Sequence, residues 1–363
     1  MNKKSEIQAA CLTAIGTRKY SGVVLGTGSG KTLLGLKHMM TKYTDTVLFL
    51  VVAPKLSIHH EWINQAKEHG LEYLIPHIQF ITYLSLSKAN HDYDFVYLDE
   101  CHNIKLKHVD WLRQYAGPIL GMTGTYPKYE KSDAFKVCQE FCPVVYKYEI
   151  SDGIADHMLN DYRIYVHLLE LDTLPTIRTK GGGLMSEVNN YKMWCKLIKN
   201  ASPSAVHMTR IMRMKAIQSY LTKVNYAKKL LKQQEHKTLV FTDFTNQADE
   251  ICYHVYHSKE KKSKLNLELF KSGKINKLAS VQQIAEGANI PNLKVGIIMH
   301  SYANEKKLRQ KIGRFLRLNP NETSVIHLLC YNNTIDLDWC KKALQDLDKQ
   351  KIFKYNGKIN LIQ

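Results

Sequence analysis

The sequence predicts an α/β protein made of two tandem units, each a parallel sheet covered on both faces by helices. Apolar runs of strand length alternate with helical patterns in both halves of the chain, which is the signature of a parallel sheet. Residues 25–32 read Leu-Gly-Thr-Gly-Ser-Gly-Lys-Thr, preceded by the apolar run Val23, Val24, Leu25 and followed by the helix-like Leu33, Leu34, Leu36, Met39, Met40. Strand, glycine-rich turn and helix in that order is how such units hold phosphates. Finally, 363 residues, 44% of them hydrophobic, suffice for two cores.

In the first half, strands are expected at 21–25, 46–53, 78–82, 95–98, 119–123 and 144–148, with helices such as 32–41 and 58–69 between them. Functional loops then belong at the carboxyl ends of the strands. A polar stretch from Glu149 to Asp161 contains Ser151-Asp152-Gly153 and sets the expected boundaries: a first unit over 1–149, a hinge over 150–162 and a second unit over 163–363. Residues 163–171 alternate apolar and polar and read as an opening strand. Pro175 and the run Gly181 to Gly183 make 173–185 an expected mobile loop. The stretch 186–235 reads as helical and basic, with Arg210, Arg213, Lys215, Lys223, Lys228, Lys229 and Lys232. Strands resume at 238–242, 278–280, 295–300 and 324–329.

Lys plus Arg number 51 against 33 Asp plus Glu, a formal net charge of +18. Such a balance favours a polyanionic partner, nucleic acid before membrane. No run of 18 apolar residues offers a membrane span, and the polar start from Met1 to Glu6 has no signal-peptide core. Eight cysteines occur without a CxxC pair; Cys138 and Cys142 stand one helical turn apart with no second ligand pair nearby. Reduced thiols, no metal–thiolate site and a cytoplasmic location are the expectation.

The glycine-rich turn carries the first chemistry. Gly26, Thr27, Gly28, Ser29 and Gly30 are placed to turn backbone N–H groups toward phosphates, with the helix N-terminus adding positive potential. Lys31 can reach the β- and γ-phosphates, and the Thr32 hydroxyl can ligate Mg²⁺. The strict pattern wants glycine where Leu25 stands. The second chemistry ends another apolar strand, at Tyr97-Leu98-Asp99-Glu100-Cys101-His102. Asp99 is placed to hold Mg²⁺, usually through water, and Glu100 to orient and deprotonate an attacking water. An acidic pair at a strand end is common by itself. About 70 residues after a phosphate loop, it reads as the other half of a nucleotide-hydrolysing site.

Asp-Glu-Cys-His resembles the DExH box of superfamily 2 helicases and translocases, and further motifs of that family follow in order. Gln8 lies where that family reads the adenine edge. Pro54-Lys55 resembles motif Ia, Ile81-Thr82-Tyr83 motif Ib, and Thr123-Gly124-Thr125 motif III. Leu239-Val240-Phe241-Thr242-Asp243-Phe244 resembles motif IV, Glu286-Gly287-Ala288-Asn289-Ile290-Pro291 motif V, and the stretch from Gln310 to Arg317 motif VI. The resemblance covers almost the whole chain. Within the superfamily, Leu25 matches a loop style of phage recombination helicases of the UvsW type and of restriction translocases, although Gly26 stands where that style has proline. Val52-Ala53-Pro54-Lys55 with Trp62 downstream looks like the Swi/Snf branch.

The resemblance implies two RecA-like domains with ATP and Mg²⁺ in the cleft between them. Lys31, Asp99 and Glu100 would work from the first domain, and Gln310, Arg314 and Arg317 from the second. The last three recur at spacings of four and three and so share one helical face; Arg317, then Arg314, is the expected arginine finger. Gly287 and Asn289 would line the nucleotide site. His102, Thr123 and Thr125 would link nucleotide state to the nucleic-acid groove, and Lys55, Thr82, Thr242, His257 and Lys259 would touch the phosphate backbone. Trp62 and Trp111 are expected in the core and His59-His60 on the surface. The partner implied is nucleic acid, DNA before RNA, engaged by a monomer that a targeting protein directs. The motif style suggests a phage or mobile-element source. An RNA helicase and an ATP-switched nucleic-acid clamp without strand separation are the alternatives.

Overall fold

A computed structural model describes residues 3–26, 29–156, 161–179, 181–281, 290–302, 305–316, 322–345 and 347–355. The chain divides into two compact units, Met1–Leu159 and Asn160–Gln363. The first contains α1 (Lys3–Ile15), β1 (Tyr20–Leu25), α2 (Lys31–Thr41), β2 (Phe49–Ala53), α3 (Leu56–Glu68), β3 (Ile78–Thr82), β4 (Phe95–Asp99), α4 (Val109–Gln114), β5 (Ile119–Thr123), α5 (Asp133–Phe141), β6 (Val144–Tyr148) and α6 (Ile150–Ala155).

Its six strands form one parallel sheet in the order β3-β2-β4-β5-β1-β6. Successive side chains of a strand point to opposite faces, and both faces are packed. Phe49, Val51 and Ala53 of β2 join Leu33, Leu34, Leu36 and Trp62 of α2 and α3 in one core. Leu50 and Val52 join Trp111, Leu112, Val137 and Phe141 of α4 and α5 in the other. That two-sided burial explains why β2 is an unbroken apolar run rather than an alternating one. The strand begins at Phe49, three residues later than expected, because Val47 closes a turn onto the Thr44 carbonyl. Since β4, β5 and β1 are neighbours, the loop after β1 and the ends of β4 and β5 lie side by side at the carboxyl edge.

The second unit contains β7 (Asp161–Leu169), β8 (Pro175–Arg178), β9 (Leu184–Ser186), α7 (Glu187–Lys199), α8 (Val206–Ser219), α9 (Leu221–Gln233), β10 (Thr238–Thr242), α10 (Thr245–Ile251), β11 (Val255–Tyr256), α11 (Ser263–Lys271), β12 (Lys277–Val281), β13 (Val295–Ile298), α12 (Glu305–Phe315), β14 (Thr323–Tyr331), α13 (Ile335–Leu344) and β15 (Ile352–Tyr355). Seven strands pair in parallel in the order β11-β12-β10-β13-β14-β7-β15. Val240, Ala279, Ile297 and Leu329 pack on α9 and α10 through Val224, Ala227, Leu231 and Ala248. From α12, the Phe315 ring meets Phe241 of β10 edge-on, 5.8 Å between centroids.

Two expectations are corrected here. The stretch expected as a mobile loop is a two-stranded antiparallel hairpin, β8 with β9, whose turn is closed by the Thr179 N–H on the Gly183 carbonyl at 2.8 Å. Lys223, read with the basic surface of 186–235, is buried at 1% exposure and ion-paired with the equally buried Asp336 at 2.5 Å. Buried charge is tolerated because the Tyr331 N–H also donates to that carboxylate at 2.9 Å. No helix among the described residues is long and apolar enough to cross a membrane.

Candidate nucleotide and nucleic-acid site

The loop after β1 is built on a left-handed residue. Gly30 has φ 81° and ψ 46° and stands just before α2. A Cβ there would run into Lys4 and Gln8, so both the backbone and the space demand glycine. The Leu34 N–H is the first to bond back into the helix, to the Gly30 carbonyl at 2.9 Å. The amides of Lys31, Thr32 and Leu33 precede it, and a helix leaves such amides for an anion. Gly26 is buried and its N–H is held by the Tyr148 carbonyl at 2.8 Å, while the Ser29 hydroxyl donates back to the Gly26 carbonyl at 2.6 Å. Thr27 and Gly28 lie outside the described residues. Gln8 is buried against this loop: its amide nitrogen faces the Gly30 carbonyl at 3.4 Å, and its oxygen accepts from Lys37 Nζ at 2.7 Å.

The acidic pair sits two strands away. Asp99 ends β4, and Glu100 takes φ 50°, ψ 53°, a left-handed conformation costly for a side-chain-bearing residue. That turn aims the two carboxylates differently. Asp99 Oδ1 accepts the Glu100 N–H at 2.9 Å and Oδ2 accepts the Trp62 indole N–H at 2.9 Å. Tyr83 donates to the Asp99 carbonyl at 2.9 Å, and Asn103 Nδ2 donates to the Glu100 carbonyl at 2.9 Å. Glu100 Oε1 lies 3.7 Å from Lys31 Nζ, which brings the loop cation and the acid together.

The other Glu100 oxygen enters a network around Thr123, which is fully buried at the end of β5. Thr123 Oγ1 lies 2.8 Å from His102 Nδ1, 3.2 Å from Glu100 Oε2 and 3.2 Å from the Thr125 carbonyl, and accepts the Thr125 N–H at 3.0 Å. His102 Nδ1 is itself 3.4 Å from Glu100 Oε2. A hydroxyl carries one proton, so Thr123 donates to one acceptor at a time: Glu100, the Thr125 carbonyl or, when His102 Nδ1 carries no proton, that nitrogen.

These surroundings push the two acids apart. Burial, then the nearby Glu100 charge, raises Asp99 to about 6, although the Trp62 N–H pulls the other way. Burial also works to raise Glu100, but Lys31, His102, the Thr123 hydroxyl and the Gly124 N–H outweigh it and hold that acid below the ordinary carboxylate range. The Asp99 carboxylate and Thr32 hydroxyl are hard oxygen donors. Asp99 has given one lone pair of each oxygen to an N–H and keeps a second on each. This set fits a Mg²⁺ ion that retains most of its waters.

In the second unit, Gln310 and Arg314 lie on α12, both half-buried. Arg317, Gly287 and Asn289 lie outside the described residues. The expected nucleic-acid contacts divide. Lys55 and Lys259 are exposed and Thr82 is half-buried at the end of β3. Thr242 is fully buried with its hydroxyl on the Phe244 carbonyl at 3.2 Å, and His257 is buried with Nε2 2.8 Å from Asp249 Oδ1. Both side chains therefore brace their own loops. His59, expected on the surface, is buried with Nε2 3.1 Å from the Ile81 carbonyl; His60 is exposed. Trp62 and Trp111 are core residues as expected. Trp62, Tyr83 and Asn103 are additions to the site. In the sequence Trp62 and Tyr83 stood out only as a core aromatic and a motif Ib residue, not as partners of Asp99.

Comparisons with known proteins bear on the fold and the family. Residues 222–319 match the model of the helicase conserved C-terminal domain. A DNA 3'-5' translocase, XPB2, from Sulfurisphaera tokodaii is 22% identical over 361 residues, covering 89% of this chain and 81% of the relative. Among solved structures, the ATP-dependent Type ISP restriction-modification enzyme LlaBIII bound to DNA aligns over 99% of this chain with a TM-score of 0.61 at 10% identity. This chain spans 32% of that enzyme's length. Dbp5 of S. cerevisiae, bound to RNA and ADP BeF3, aligns over 97% of this chain and 89% of its own, with a TM-score of 0.60 at 10% identity. The fold is that of two RecA-like helicase domains, each with an all-parallel sheet. The domain match and the translocase relative support a superfamily 2 helicase.

Proposed function

We propose that this chain is an ATP-dependent DNA helicase or translocase, coupling ATP hydrolysis to movement on, or remodelling of, duplex or branched DNA in replication, recombination or repair. The observation that carries the reading is the convergence of Lys31, just after β1, with Asp99 and Glu100 at the end of β4, Glu100 being tied through Thr123 of the intervening β5 to His102. Lys31 and the first amides of α2 hold the ATP phosphates. Asp99 and Thr32 would hold Mg²⁺, which when bound neutralises charge on the β- and γ-oxygens. Glu100, kept ionised by its neighbours, orients a water and takes its proton. On this reading Gln310, Arg314 and Arg317 would stabilise charge on the transferring group, and Gly287 and Asn289 would contact the nucleotide.

His102, Thr123 and Thr125 carry the state of Glu100 toward the groove, where Lys55, Thr82 and Lys259 meet the phosphate backbone. The XPB2 relative and the Asp-Glu-Cys-His and Thr-Gly-Thr sequences favour DNA over RNA. The loop style and the Pro54-Lys55…Trp62 stretch favour the branch that includes phage recombination helicases and Swi/Snf translocases. The test is ATP hydrolysis measured with linear duplex, single-stranded DNA, forks, four-way junctions and RNA, with strand separation and triplex displacement followed in parallel. Stimulation by duplex with triplex displacement but no unwinding makes it a translocase. Stimulation by RNA alone overturns the DNA reading.

A further inference from the structure

We propose that Trp62 is a positioning residue for the metal-side carboxylate: its indole N–H fixes the orientation of Asp99, and its ring ties that carboxylate to the helix behind the phosphate loop. The inference rests on the nucleotide-site reading above. A buried indole N–H needs an acceptor, and the ordinary solution is a backbone carbonyl. Trp111 adopts it, donating to the Ala89 carbonyl at 2.8 Å. Trp62, fully buried on α3, donates instead to Asp99 Oδ2 at 2.9 Å across 37 residues of sequence. A bond to an ionised acceptor is the stronger kind and directional. With the Glu100 N–H on Oδ1, both carboxylate oxygens are pinned by donors that cannot themselves turn.

The ring is fixed as well. A Cβ on Gly35 would overlap Cη2 of Trp62, so the indole lies directly on the backbone of α2. On another side it meets Tyr97 edge-on, 6.3 Å between centroids and 69° between planes. Gly35 is one helical turn beyond Lys31 and Thr32, which are placed to hold the phosphates and the metal. One rigid plate thus touches the loop helix at its rim and the carboxylate at its nitrogen. Loss of a partner that orients a metal ligand typically costs about 10–100-fold in metal affinity.

The test uses the full chain and Mn²⁺ as a paramagnetic probe, its binding followed by electron paramagnetic resonance with a slowly hydrolysed ATP analogue. Trp62→Phe deletes the N–H and, because a phenyl ring is smaller than an indole, also withdraws the rim that lies on Gly35. It is expected to weaken Mn²⁺ about tenfold while analogue affinity in EDTA stays within about twofold. Gly35→Ala supplies a second route, displacing the indole without altering it, and is expected to weaken Mn²⁺ in the same sense. In an Asp99→Asn background, adding Trp62→Phe should cost nothing further, because the indole acts through that carboxylate. Wild-type Mn²⁺ affinity in Trp62→Phe, with or without a lowered melting temperature, overturns the proposal. Additive losses in the double variant overturn it too. Failure of the wild-type chain to bind Mn²⁺ with the analogue overturns the nucleotide-site reading itself, an outcome distinct from both.

Discussion

Lys31 Nζ stands 3.7 Å from Glu100 Oε1, so the cation of the glycine-rich loop is already partnered by the acid proposed to activate water. Occupancy of the loop by phosphates gives Lys31 a second anion to serve, and the Glu100 environment then depends on what the loop holds.

The first prediction follows from that pair. Glu100→Gln keeps size and most hydrogen bonds but removes the base; ATP turnover should fall by about 10²–10⁴-fold with nucleotide affinity kept. Lys31→Met should lose affinity as well as turnover, and it should move Glu100 upward toward ordinary carboxylate values. Steady-state hydrolysis and fluorescent-nucleotide binding, measured side by side, separate the two effects. Equal losses of affinity in both variants would contradict the assignment.

Thr123→Val is shape-conserving but leaves Glu100 Oε2, His102 Nδ1 and the Thr125 N–H without that hydroxyl. Loss of this link should lower nucleic-acid-stimulated turnover by about tenfold, the worth of one such hydrogen bond, with a smaller effect on the basal rate. Thr123→Ser should restore it. A valine variant with unchanged stimulation would show that the network is architectural only.

A pH prediction concerns His38 on α2. Burial, and secondarily Lys42, holds it at about 4 against an ordinary 6.5, and Nδ1 lies 2.8 Å from the Tyr97 hydroxyl. The folded chain therefore binds fewer protons than the unfolded chain. This contribution to stability is complete above 6.5 and is lost as pH falls through the window down to 4. It amounts to about 2 kcal/mol by pH 5. His38→Phe should cost about 1–3 kcal/mol at pH 7 by orphaning the Tyr97 hydroxyl. The gap from wild type should then shrink toward pH 5 in urea denaturation. A gap independent of pH would mean that His38 does not titrate there.

In the second domain, Lys223→Met should destabilise by about 3–5 kcal/mol, because Asp336 is left buried without its partner. Pairing it with Asp336→Leu should recover part of the loss, the Tyr331 N–H remaining unpaired. Guanidinium unfolding of single and double variants reads this directly; a single variant as stable as wild type would refute the buried pair.

Much of this architecture was legible because periodicity and motif order are local properties. The strands of the first half, the helices of 186–235 and the glycine-rich turn each announce themselves within a dozen residues. What escaped depends on partners far along the chain. Lys223 looks like its solvated neighbours until Asp336, 113 residues later, closes over it. The indole of Trp62 finds Asp99 only because β2 and β4 are adjacent in the sheet. Thr242 and His257 sit at motif positions, yet contacts within their own loops turn them inward. β11 and β15, two and four residues long, are too short to show an alternation. The 173–185 hairpin was hidden by the proline that opens β8 and the glycines of its turn.

The position of β7 has a consequence for how the protein is made. Its two sheet neighbours are β14 and β15, so residues 161–169 pair with 323–331 and 352–355. A ribosome adding about 5–20 residues per second needs roughly 10–40 s to deliver both partners. The first domain can close on its own β6 well before then. Through that interval the nascent chain carries a nine-residue strand with both edges bare, a template for pairing with other chains. Expression yield should therefore depend on synthesis rate and on holdase supply more than on the stability of the finished fold.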